Sequence, residues 1–506
     1  MKVLVANRGE IAVRIMRACR EMRLSTVAVY SPSDRLSPHV QYADEAVPLG
    51  ADQPTESYLR IDKMIEAAHR TKADTIHPGY GFLAENANFA KACQDSGILF
   101  VGPTADVIAL MGEKTASRQA AKKAGVPIVP GTEKPLSDQL TGLELSELAS
   151  AVGYPLFVKA VAGGGGKGMR LVHKPEELTS AVQSARSEAK SAFGNSEIYF
   201  ERFVANARHI EVQVLADEYG RVVPFVEREC SLQRRHQKVI EETPSPVVDV
   251  KTRQALAESA AALARGVGYT NAGTVEFLLD SAGKFYFLEM NTRLQVEHPV
   301  TEIVTGVDLV QWQLKIARGE ELILDDIDTL VPRGHAIECR IYAEDPEVGF
   351  IPSPGLLTNL KVSAGPGVRD DSGVEIGYEV PVHYDSMLSK LVAWGSNRKQ
   401  AIDRMARALT EYEVGGVKTT IPLFRWILCH PDFVEGKFDT NFLDRILATR
   451  DSEAFFNLSK EAEEVAILTA AIHTVLCREQ KASNSADMDK ASSAWKRAAR
   501  LAGLRV

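Results

Sequence analysis

Short apolar runs rich in β-branched residues alternate with helical patterns through the first hundred residues. The runs are KVLVAN, STVAVYS, TIHPG and ILFVG, and the helical patterns between them cover residues 9–23, 57–71 and 85–95. Strands separated by helices of this length pair in parallel through right-handed crossovers. The pattern therefore predicts a doubly wound α/β domain over residues 1–112.

Two further regions follow, with different patterns. Strand signals dominate residues 154–230, and a long helical pattern over 251–269 precedes the strands GTVEFLLD and KFYFLEMN. From 331 to 447 the apolar runs are shorter (AIECRIYAE, LLTNLKV, SKLVAWG) and one helical pattern covers 398–412, which predicts a mixed α+β domain. Residues 448–506 combine a helical pattern, the polar linker KASNSADMDKASS and a basic end, which predicts a helical tail.

Composition narrows the class of protein. A chain of 506 residues is too long for one hydrophobic core, so several domains are expected. The net charge of −8 argues against a nucleic-acid partner, and the six cysteines contain no CxxC pair that would indicate zinc or a disulfide framework. The longest apolar tract, residues 465–477, is shorter than the roughly 20 residues of a membrane span, so no membrane partner and a cytoplasmic location are predicted.

The loop HPGYGFLAEN follows the third strand at its carboxyl end. Open α/β sheets bind ligands at this edge, so the loop is a candidate binding element. A Gly-Pro turn with one exposed tyrosine explains the same residues equally well.

A glycine-rich loop, AGGGGKG, follows a predicted strand that carries Lys159. Backbone N–H groups in such a loop can approach phosphate oxygens because no Cβ intervenes, and a lysine adds charge. The loop is not a Walker A motif, since Gly168 and Met169 follow Lys167 and lead into a strand. The pattern favours a strand–loop–strand flap over a nucleotide, although a flexible hairpin tip would use the same glycines.

The strands GTVEFLLD and KFYFLEMN form a predicted hairpin with two opposed carboxylates. If Asp280 pairs with Phe285, then Glu276 lies directly opposite Glu289, beside the apolar Leu278 and Phe287. Like charges so placed raise one pKa or bind a cation, and oxygen ligands favour Mg²⁺ or Mn²⁺. Asn291 supplies a third oxygen on the same face. A register slip of one residue would instead make each glutamate an ordinary solvated group.

Five motifs occur in order within residues 1–447: NRGEIA, HPGYGFLAEN, AGGGGKGM, RECSLQRRHQK and EMNTRLQVEHPVTE. Together they resemble biotin carboxylase, the ATP-grasp enzyme that carboxylates biotin in acetyl-CoA, propionyl-CoA and pyruvate carboxylases. The resemblance implies an N-terminal doubly wound parallel sheet in 1–112, a central ATP-grasp domain in 113–330 with a mobile lid over about 131–203, and a C-terminal mixed α+β domain in 331–447.

The resemblance also implies roles for individual residues. ATP would be bound by Lys114, Lys159, Gly164, Gly165, Gly166, Glu201, Val204, His209, Gln233, His236 and Leu278. Two divalent ions, Mg²⁺ or Mn²⁺, would be held by Glu276, Glu289 and Asn291. Bicarbonate would be held by Lys238, Arg293, Gln295, Val296 and Glu297, with Glu297 as the general base and Arg293, Lys238 and Arg340 completing the catalytic set. Arg340 and Tyr80 would contact biotin.

The chain carries no biotin attachment motif of its own. Biotin is normally attached to a lysine in a Met-Lys-Met setting, and the only Met-Lys lies at the chain start. The resemblance therefore implies three partners: a biotin carboxyl carrier protein or biotinylated subunit, a carboxyltransferase subunit, and a second copy of this chain in a homodimer.

Other interpretations stay open at this point. Arg293 and Glu297 are spaced to form a simple ion pair, and RRHQK, residues 234–238, is typical of a solvated charged face. Another ATP-grasp ligase would share the glycine flap and the carboxylates. A non-catalytic nucleotide-binding subunit would share them too, but would lack a metal ligand or the base.

Overall fold

Five parallel strands form the first sheet, in the order β3-β2-β1-β4-β5. They are β1 Lys2–Val5, β2 Ser25–Tyr30, β3 Glu45–Pro48, β4 Thr75–His77 and β5 Leu99–Phe100. The associated helices are α1 Gly9–Glu21, α2 Pro38–Tyr42, α3 Ile61–Thr71, α4 Ala87–Asp95, α5 Ala105–Gly112 and α6 Lys114–Lys123. The strand order reverses between β1 and β4, which confirms the predicted doubly wound fold. The sequence pattern missed β3 because this edge strand buries a single side chain, that of Val47.

The computed structural model describes residues 1–161, 168–450, 454–455, 464–465 and 467–475. The chain divides into two units, Met1–Asp451 and Ser452–Val506. In the second unit residues 467–475 are helical, and the predicted polar linker and basic end lie outside the described residues. No helix in the described part of the chain is both long and apolar enough to cross a lipid bilayer.

A small antiparallel sheet with order β7-β6-β8 forms the next layer, together with two helices. Its elements are α7 Gly142–Val152, β6 Leu156–Ala160, β7 Met169–Val172, α8 Leu178–Phe193 and β8 Ile198–Arg202. The prediction that strand signals dominate residues 154–230 did not include α8. Leu178, Val182, Ala185 and Ala189 recur at helical spacing and are all buried.

A nine-stranded sheet forms the centre of the first unit. Its order is β14-β13-β9-β11-β12-β15-β22-β20, with β10 paired to β9, and every pairing in it is antiparallel. The strands are β9 Arg208–Ala216, β10 Val222–Pro224, β11 Arg228–Arg234, β12 Gln237–Thr243, β13 Asn271–Leu279, β14 Phe285–Asn291, β15 His335–Tyr342, β20 Val368–Ser372 and β22 Met387–Gly395. Because β12 pairs with β15, this sheet runs across the predicted boundary at residue 330.

The remaining elements pack around this sheet. The helices are α9 Val250–Gly266, α10 His298–Thr305, α11 Leu309–Ala317, α12 Arg398–Glu411, α13 Ile421–Cys429, α14 Pro431–Val434 and α15 Phe442–Ala448. Three short strand pairs complete the region: β16 Glu344–Asp345 with β17 Ile351–Pro352, β18 Gly355–Leu356 with β21 Glu379–Val380, and β19 Asn359–Lys361 with β23 Glu413–Gly415. The predicted mixed α+β character is confirmed.

The β13–β14 hairpin places Glu276 directly opposite Glu289, as predicted, but the strand register near the turn differs from the predicted one. Near the turn Leu279, not Asp280, pairs with Phe285, so the predicted turn register was wrong by one residue. A β-bulge next to Glu276 then restores the predicted pairing. The same shift places Phe287 opposite Phe277 in the hydrophobic core, so Phe287 does not lie beside the two carboxylates as expected.

Candidate active site

A cavity of about 500 Å³ lies between the small sheet and the nine-stranded sheet. It is lined by most of the predicted site residues: Lys114, Lys159, Glu201, Val204, His209, Gln233, His236, Lys238, Glu276, Leu278, Glu289, Asn291, Arg293, Gln295, Val296 and Arg340. The predicted Gly164, Gly165 and Gly166 lie outside the described residues. Residues from strands far apart in sequence therefore meet in one cavity of a size that accommodates a small-molecule ligand.

The two opposed carboxylates have different surroundings. Glu276 accepts hydrogen bonds from Lys238 Nζ at 2.8 Å and Asn291 Nδ2 at 2.9 Å, and His209 Nε2 lies 3.2 Å from its second oxygen. Burial opposes ionisation of Glu276, but Lys238 and His209 outweigh it and hold its pKa below the usual range. For Glu289, burial and the charge of Glu276 raise the pKa. Charge on Glu289 is thus disfavoured unless a further cation lies beside the pair.

His209 carries a positive charge beside this pair. Burial alone would lower its pKa, but the neighbouring Glu276 raises the pKa of His209 to about 9. The imidazole therefore adds positive charge beside Glu276 at neutral pH.

Lys238 connects the carboxylate pair to the N-terminus of α10. Besides its bond to Glu276, Nζ donates to Glu297 at 2.6 Å and to the fully buried Glu211. Glu211 also accepts from the buried guanidinium of Arg228. Burial opposes the charge on Glu211, yet Lys238 and Arg228 hold its pKa well below the usual range.

Glu297 lies at the N-terminus of α10 and is fully buried. Oε1 accepts from Lys238 and Oε2 accepts from Arg340 Nη2 at 2.8 Å. Burial and the nearby Glu211 raise the pKa of Glu297, but Lys238 and Arg340 outweigh them and lower it overall. The carboxylate is therefore ionised at neutral pH, but it does not itself line the cavity, whereas its partners Lys238 and Arg340 do.

Arg293 pairs with Glu85 instead of Glu297, so the simple ion pair between Arg293 and Glu297 is not formed. Arg293 Nε donates to Glu85 at 2.8 Å, and its Nη atoms donate to Asn291 at 3.2 Å and Gln295 at 3.3 Å. Glu85 belongs to the loop HPGYGFLAEN. This contact brings the loop to the site and favours its interpretation as a binding element.

Residues of the run RRHQK lie in two different environments. Arg235 and His236 occupy a tight turn between β11 and β12 with φ of 49° and 65°, and both are exposed. Arg234 lies over the Phe350 ring at 3.9 Å. The solvated-face interpretation thus fits the turn, whereas Lys238 points into the site.

Three cationic side chains lie near the cavity wall formed by the small sheet: Lys159 on β6, and Lys114 and Arg118 on α6. Glu201 accepts from Arg118 Nη1 at 2.6 Å and from Lys159, and both partners are largely buried. Burial lowers the pKa of Lys114, which also lines the cavity. These cations create a region of positive charge opposite the Glu276–Glu289 pair.

Tyr80 does not line this cavity. Its hydroxyl donates to Glu10, and its ring is buried with Lys390 Nζ at 5.5 Å from the centroid. The predicted biotin residue therefore lies behind the site and not on its surface.

Several residues of the site were missed from the sequence, above all Glu211, Glu85 and Arg228. A signal existed for Glu211, since His209, Glu211 and Gln213 alternate along β9 and must share one face of the sheet. For Glu85 the sequence contained no comparable signal, because its partner lies 208 residues away.

An acidic hairpin opposed by lysines from a small antiparallel sheet and the neighbouring helix α6 is the arrangement of an ATP-grasp enzyme. The chain belongs to the biotin carboxylase family. Three family models match it: the biotin carboxylase N-terminal domain over residues 1–108, the carbamoyl-phosphate synthase L chain ATP-binding domain over 113–324, and the biotin carboxylase C-terminal domain over 338–445.

Named relatives span almost the whole chain. Biotin carboxylase of a Nostoc species is 52% identical, over 88% of this chain and 99% of its own length. One of the pyruvate carboxylase subunits of Methanothermobacter thermautotrophicus is 51% identical, over 92% and 93%. The biotin carboxylase domain dimer of Hydrogenobacter thermophilus 2-oxoglutarate carboxylase, solved with ADP, its magnesium salt and bicarbonate, is 45% identical with a TM-score of 0.85, over 90% and 99%.

Proposed function

We propose that the chain carboxylates biotin on a separate carrier protein, using ATP and bicarbonate and forming ADP and phosphate through carboxyphosphate. The observation that carries this proposal is the position of Lys238, which donates to Glu276 of the carboxylate pair and to Glu297. The ammonium group of Lys238 would thus contact both the proposed nucleotide site, at Glu276, and the proposed base, Glu297. This is the proximity needed for bicarbonate to attack a terminal phosphate.

Glu276, Glu289 and Asn291 would hold two divalent ions, Mg²⁺ or Mn²⁺. The donor set fits, because it consists of hard oxygen atoms. The pKa of Glu289 is also raised, which shows that its neighbours do not neutralise its charge and that a metal ion could do so. When bound, the ions would neutralise part of the negative charge of the triphosphate. The carboxylates of this chain orient the nucleotide towards Lys238.

The nucleotide would lie along the small sheet. Lys114 and Lys159 would contact its phosphates, together with Gly164, Gly165 and Gly166, and a lid over about 131–203 would close over them and exclude water. Glu201, Val204, His209, Gln233, His236 and Leu278 would surround the remainder of the nucleotide.

Bicarbonate would be held by Arg293, Gln295, the Val296 backbone, Lys238 and Glu297. Glu297 would remove the bicarbonate proton, so that an oxygen of the resulting carbonate attacks the γ-phosphorus and ADP leaves. The lowered pKa of Glu297 keeps the carboxylate ionised before substrate binds. The charge of bound bicarbonate then raises that pKa, which makes Glu297 a better proton acceptor in the complex.

Arg340 would act in the second step. Carboxyphosphate breaks down to CO₂ and phosphate, the phosphate takes the N1 proton of biotin, and the biotin enolate attacks CO₂. The guanidinium of Arg340 would stabilise the negative charge that develops on the ureido oxygen. Tyr80 would support the biotin pocket from behind, through the buried layer that also contains Lys390.

The proposed assembly has three components. A biotin carboxyl carrier protein or biotinylated subunit would supply biotin, a carboxyltransferase subunit would receive the carboxyl group, and two copies of this chain would form a homodimer in the cytoplasm. The domain boundaries 1–112, 113–330, 331–447 and 448–506 are part of the same proposal.

The test is ATP hydrolysis by the purified chain with and without bicarbonate, followed by transfer of labelled bicarbonate to free biotin. We expect hydrolysis that requires bicarbonate and rises with biotin, and label in an acid-labile biotin product. Hydrolysis that instead depends on another acid and an amine acceptor would identify a different ATP-grasp ligase. Nucleotide binding with no hydrolysis under any condition would identify a non-catalytic subunit.

A further inference from the structure

Lys390 is a fully buried lysine behind the bicarbonate residues. It lies on β22, paired with Arg340 on β15 and with Asp371 on β20. Its Nζ donates a hydrogen bond to the backbone carbonyl oxygen of Val296 at 3.0 Å. Burial of an ammonium group is costly, so a lysine in this position requires a specific reason.

The carbonyl that Lys390 binds belongs to the peptide bond between Val296 and Glu297. This peptide directly precedes α10, at whose N-terminus Glu297 lies. Its orientation sets the direction in which the Glu297 carboxylate enters the site, where it meets Lys238 and Arg340. A donor fixed to that carbonyl therefore controls the geometry of the proposed base.

Three acids surround the charge of Lys390. Glu10 on α1, Glu338 on β15 and Asp371 on β20 face it, with the Tyr80 ring at 5.5 Å. Burial raises the pKa of Glu10 and of Glu338 in spite of Lys390, whereas Arg369 and Lys390 outweigh burial and lower the pKa of Asp371. Among other groups facing it, His298 has a pKa held low, first by burial and then by Lys390. Charge balance explains why Lys390 can be buried, but the hydrogen bond to Val296 determines what it does there.

We propose that Lys390 is a positioning residue for the bicarbonate step, acting through the Val296 carbonyl to fix Glu297 and the bicarbonate-binding backbone. This inference rests on the proposed function. Lys390 does not line the cavity. It aligns Val296, which lines the cavity, and the adjoining Glu297.

The test compares Lys390→Met with the exposed control Lys361→Met, whose lysine forms an ion pair with Glu413 on the surface. Methionine retains most of the length of the side chain but has no donor for Val296. We expect the KM for bicarbonate to rise by about tenfold, as for the loss of one buried hydrogen bond, while the KM for ATP stays unchanged. Lys361→Met should match the parent in both constants.

A second variant tests the same role in case Lys390→Met alone does not fold. Glu10→Gln combined with Lys390→Met removes one negative and one positive charge together, and glutamine still accepts from the Tyr80 hydroxyl. It should show the same selective rise in the bicarbonate KM. An unchanged bicarbonate KM, an equal rise in both KM values, or loss of folding in both variants would overturn the inference. A parent enzyme without bicarbonate-dependent hydrolysis would overturn the proposed function itself and this inference with it.

Discussion

The guanidinium of Arg340 donates from Nη2 to Oε2 of Glu297 over 2.8 Å. The proposed biotin residue and the proposed base of the bicarbonate step are therefore in direct contact. Because Arg340 and Glu297 form one ion pair, CO₂ released from carboxyphosphate would form next to the group that we propose stabilises the biotin enolate. This proximity shortens the path of an intermediate that water would otherwise consume.

Replacement of Arg340 should separate the two steps. We expect Arg340→Ala to reduce biotin carboxylation by about 10²–10³-fold, the usual effect of removing one donor to a developing negative charge. Bicarbonate-dependent ATP hydrolysis without biotin should be retained in part, since Lys238 still contacts Glu297. Labelled bicarbonate transfer and ADP release, measured in parallel, check this outcome.

The control for this prediction is Arg318→Ala, which removes an exposed arginine that pairs with Glu320. It should behave as the parent in both assays. Parental biotin carboxylation by Arg340→Ala would contradict the role assigned to Arg340.

Replacement of Glu289 should weaken metal binding without harming the fold. Glu289→Gln substitutes a neutral and weaker oxygen ligand and also relieves repulsion with Glu276. We expect the Mg²⁺ concentration for half-maximal ATP hydrolysis to rise by about tenfold or more, while the free energy of unfolding without metal is unchanged or increased. Metal titrations and urea denaturation test the two halves of this prediction.

The exposed Glu258→Gln on α9 serves as the control and should leave the Mg²⁺ dependence unchanged. If Glu289→Gln also retains the parental Mg²⁺ dependence, Glu289 does not contact the metal.

The opposed carboxylates show how far local pattern predicts a site. Two short apolar strands around a turn predict a hairpin, and the pairing of Glu276 with Glu289 followed from counting residues. Counting residues from the turn assumed a regular hydrogen-bond ladder. In the structure the pairing at the turn is shifted by one residue, and a bulge next to Glu276 reverses that shift. The bulge is set by packing of Phe277 and Phe287 into the core, which no local pattern contains.

Contacts between distant residues account for most of what was missed. Lys238 was assigned to bicarbonate by family resemblance, but its bonds to Glu211 and Glu276 join three strands of the nine-stranded sheet. Such contacts depend on strand order, which propensity does not determine. Helix α8 was missed for a simpler reason, because its small alanines give a weak apolar signal.

A largely buried ion pair between Arg8 and Asp34, in loops that follow β1 and β2, should contribute strongly to stability. Asp34 accepts from Arg8 Nε at 2.6 Å and from Tyr58 Oη at 2.7 Å, and burial of its charge is outweighed by Arg8, so that its pKa falls to about 2. Asp34→Asn leaves the buried Arg8 without its anion, and we expect a loss of about 3–5 kcal/mol in the free energy of unfolding. Urea denaturation near neutral pH measures it.

The matched control is Asp62→Asn, which breaks an Arg–Asp pair whose side chains are 47% and 63% exposed. Its cost should stay within about 1 kcal/mol. Because the pKa of Asp34 is lowered, its contribution is present above the ordinary Asp pKa and is lost as pH falls towards about 2. Equal losses in the two variants would contradict a specific role for Asp34.

The acid behind Arg340 should make stability depend on pH in the opposite direction. Glu241 is fully buried opposite Glu338 across β12 and β15, and burial raises its pKa to about 7 in spite of Arg340. A folded-state pKa raised above the unfolded value gives stability that is present at low pH and is lost as pH rises from about 4.5 to 7. Glu241→Gln removes this loss.

We therefore expect Glu241→Gln to gain stability relative to the parent as pH rises from about 5 to 7, by at most ~1.4 kcal/mol per pH unit. Urea denaturation at intervals across this range measures the difference, with the exposed Glu147→Gln on α7 as the control that stays parallel to the parent. A difference between Glu241→Gln and the parent that is constant with pH would mean that Glu241 is already ionised throughout. In that case Arg340, lying between Glu241 and Glu297, would face two anions at every pH tested.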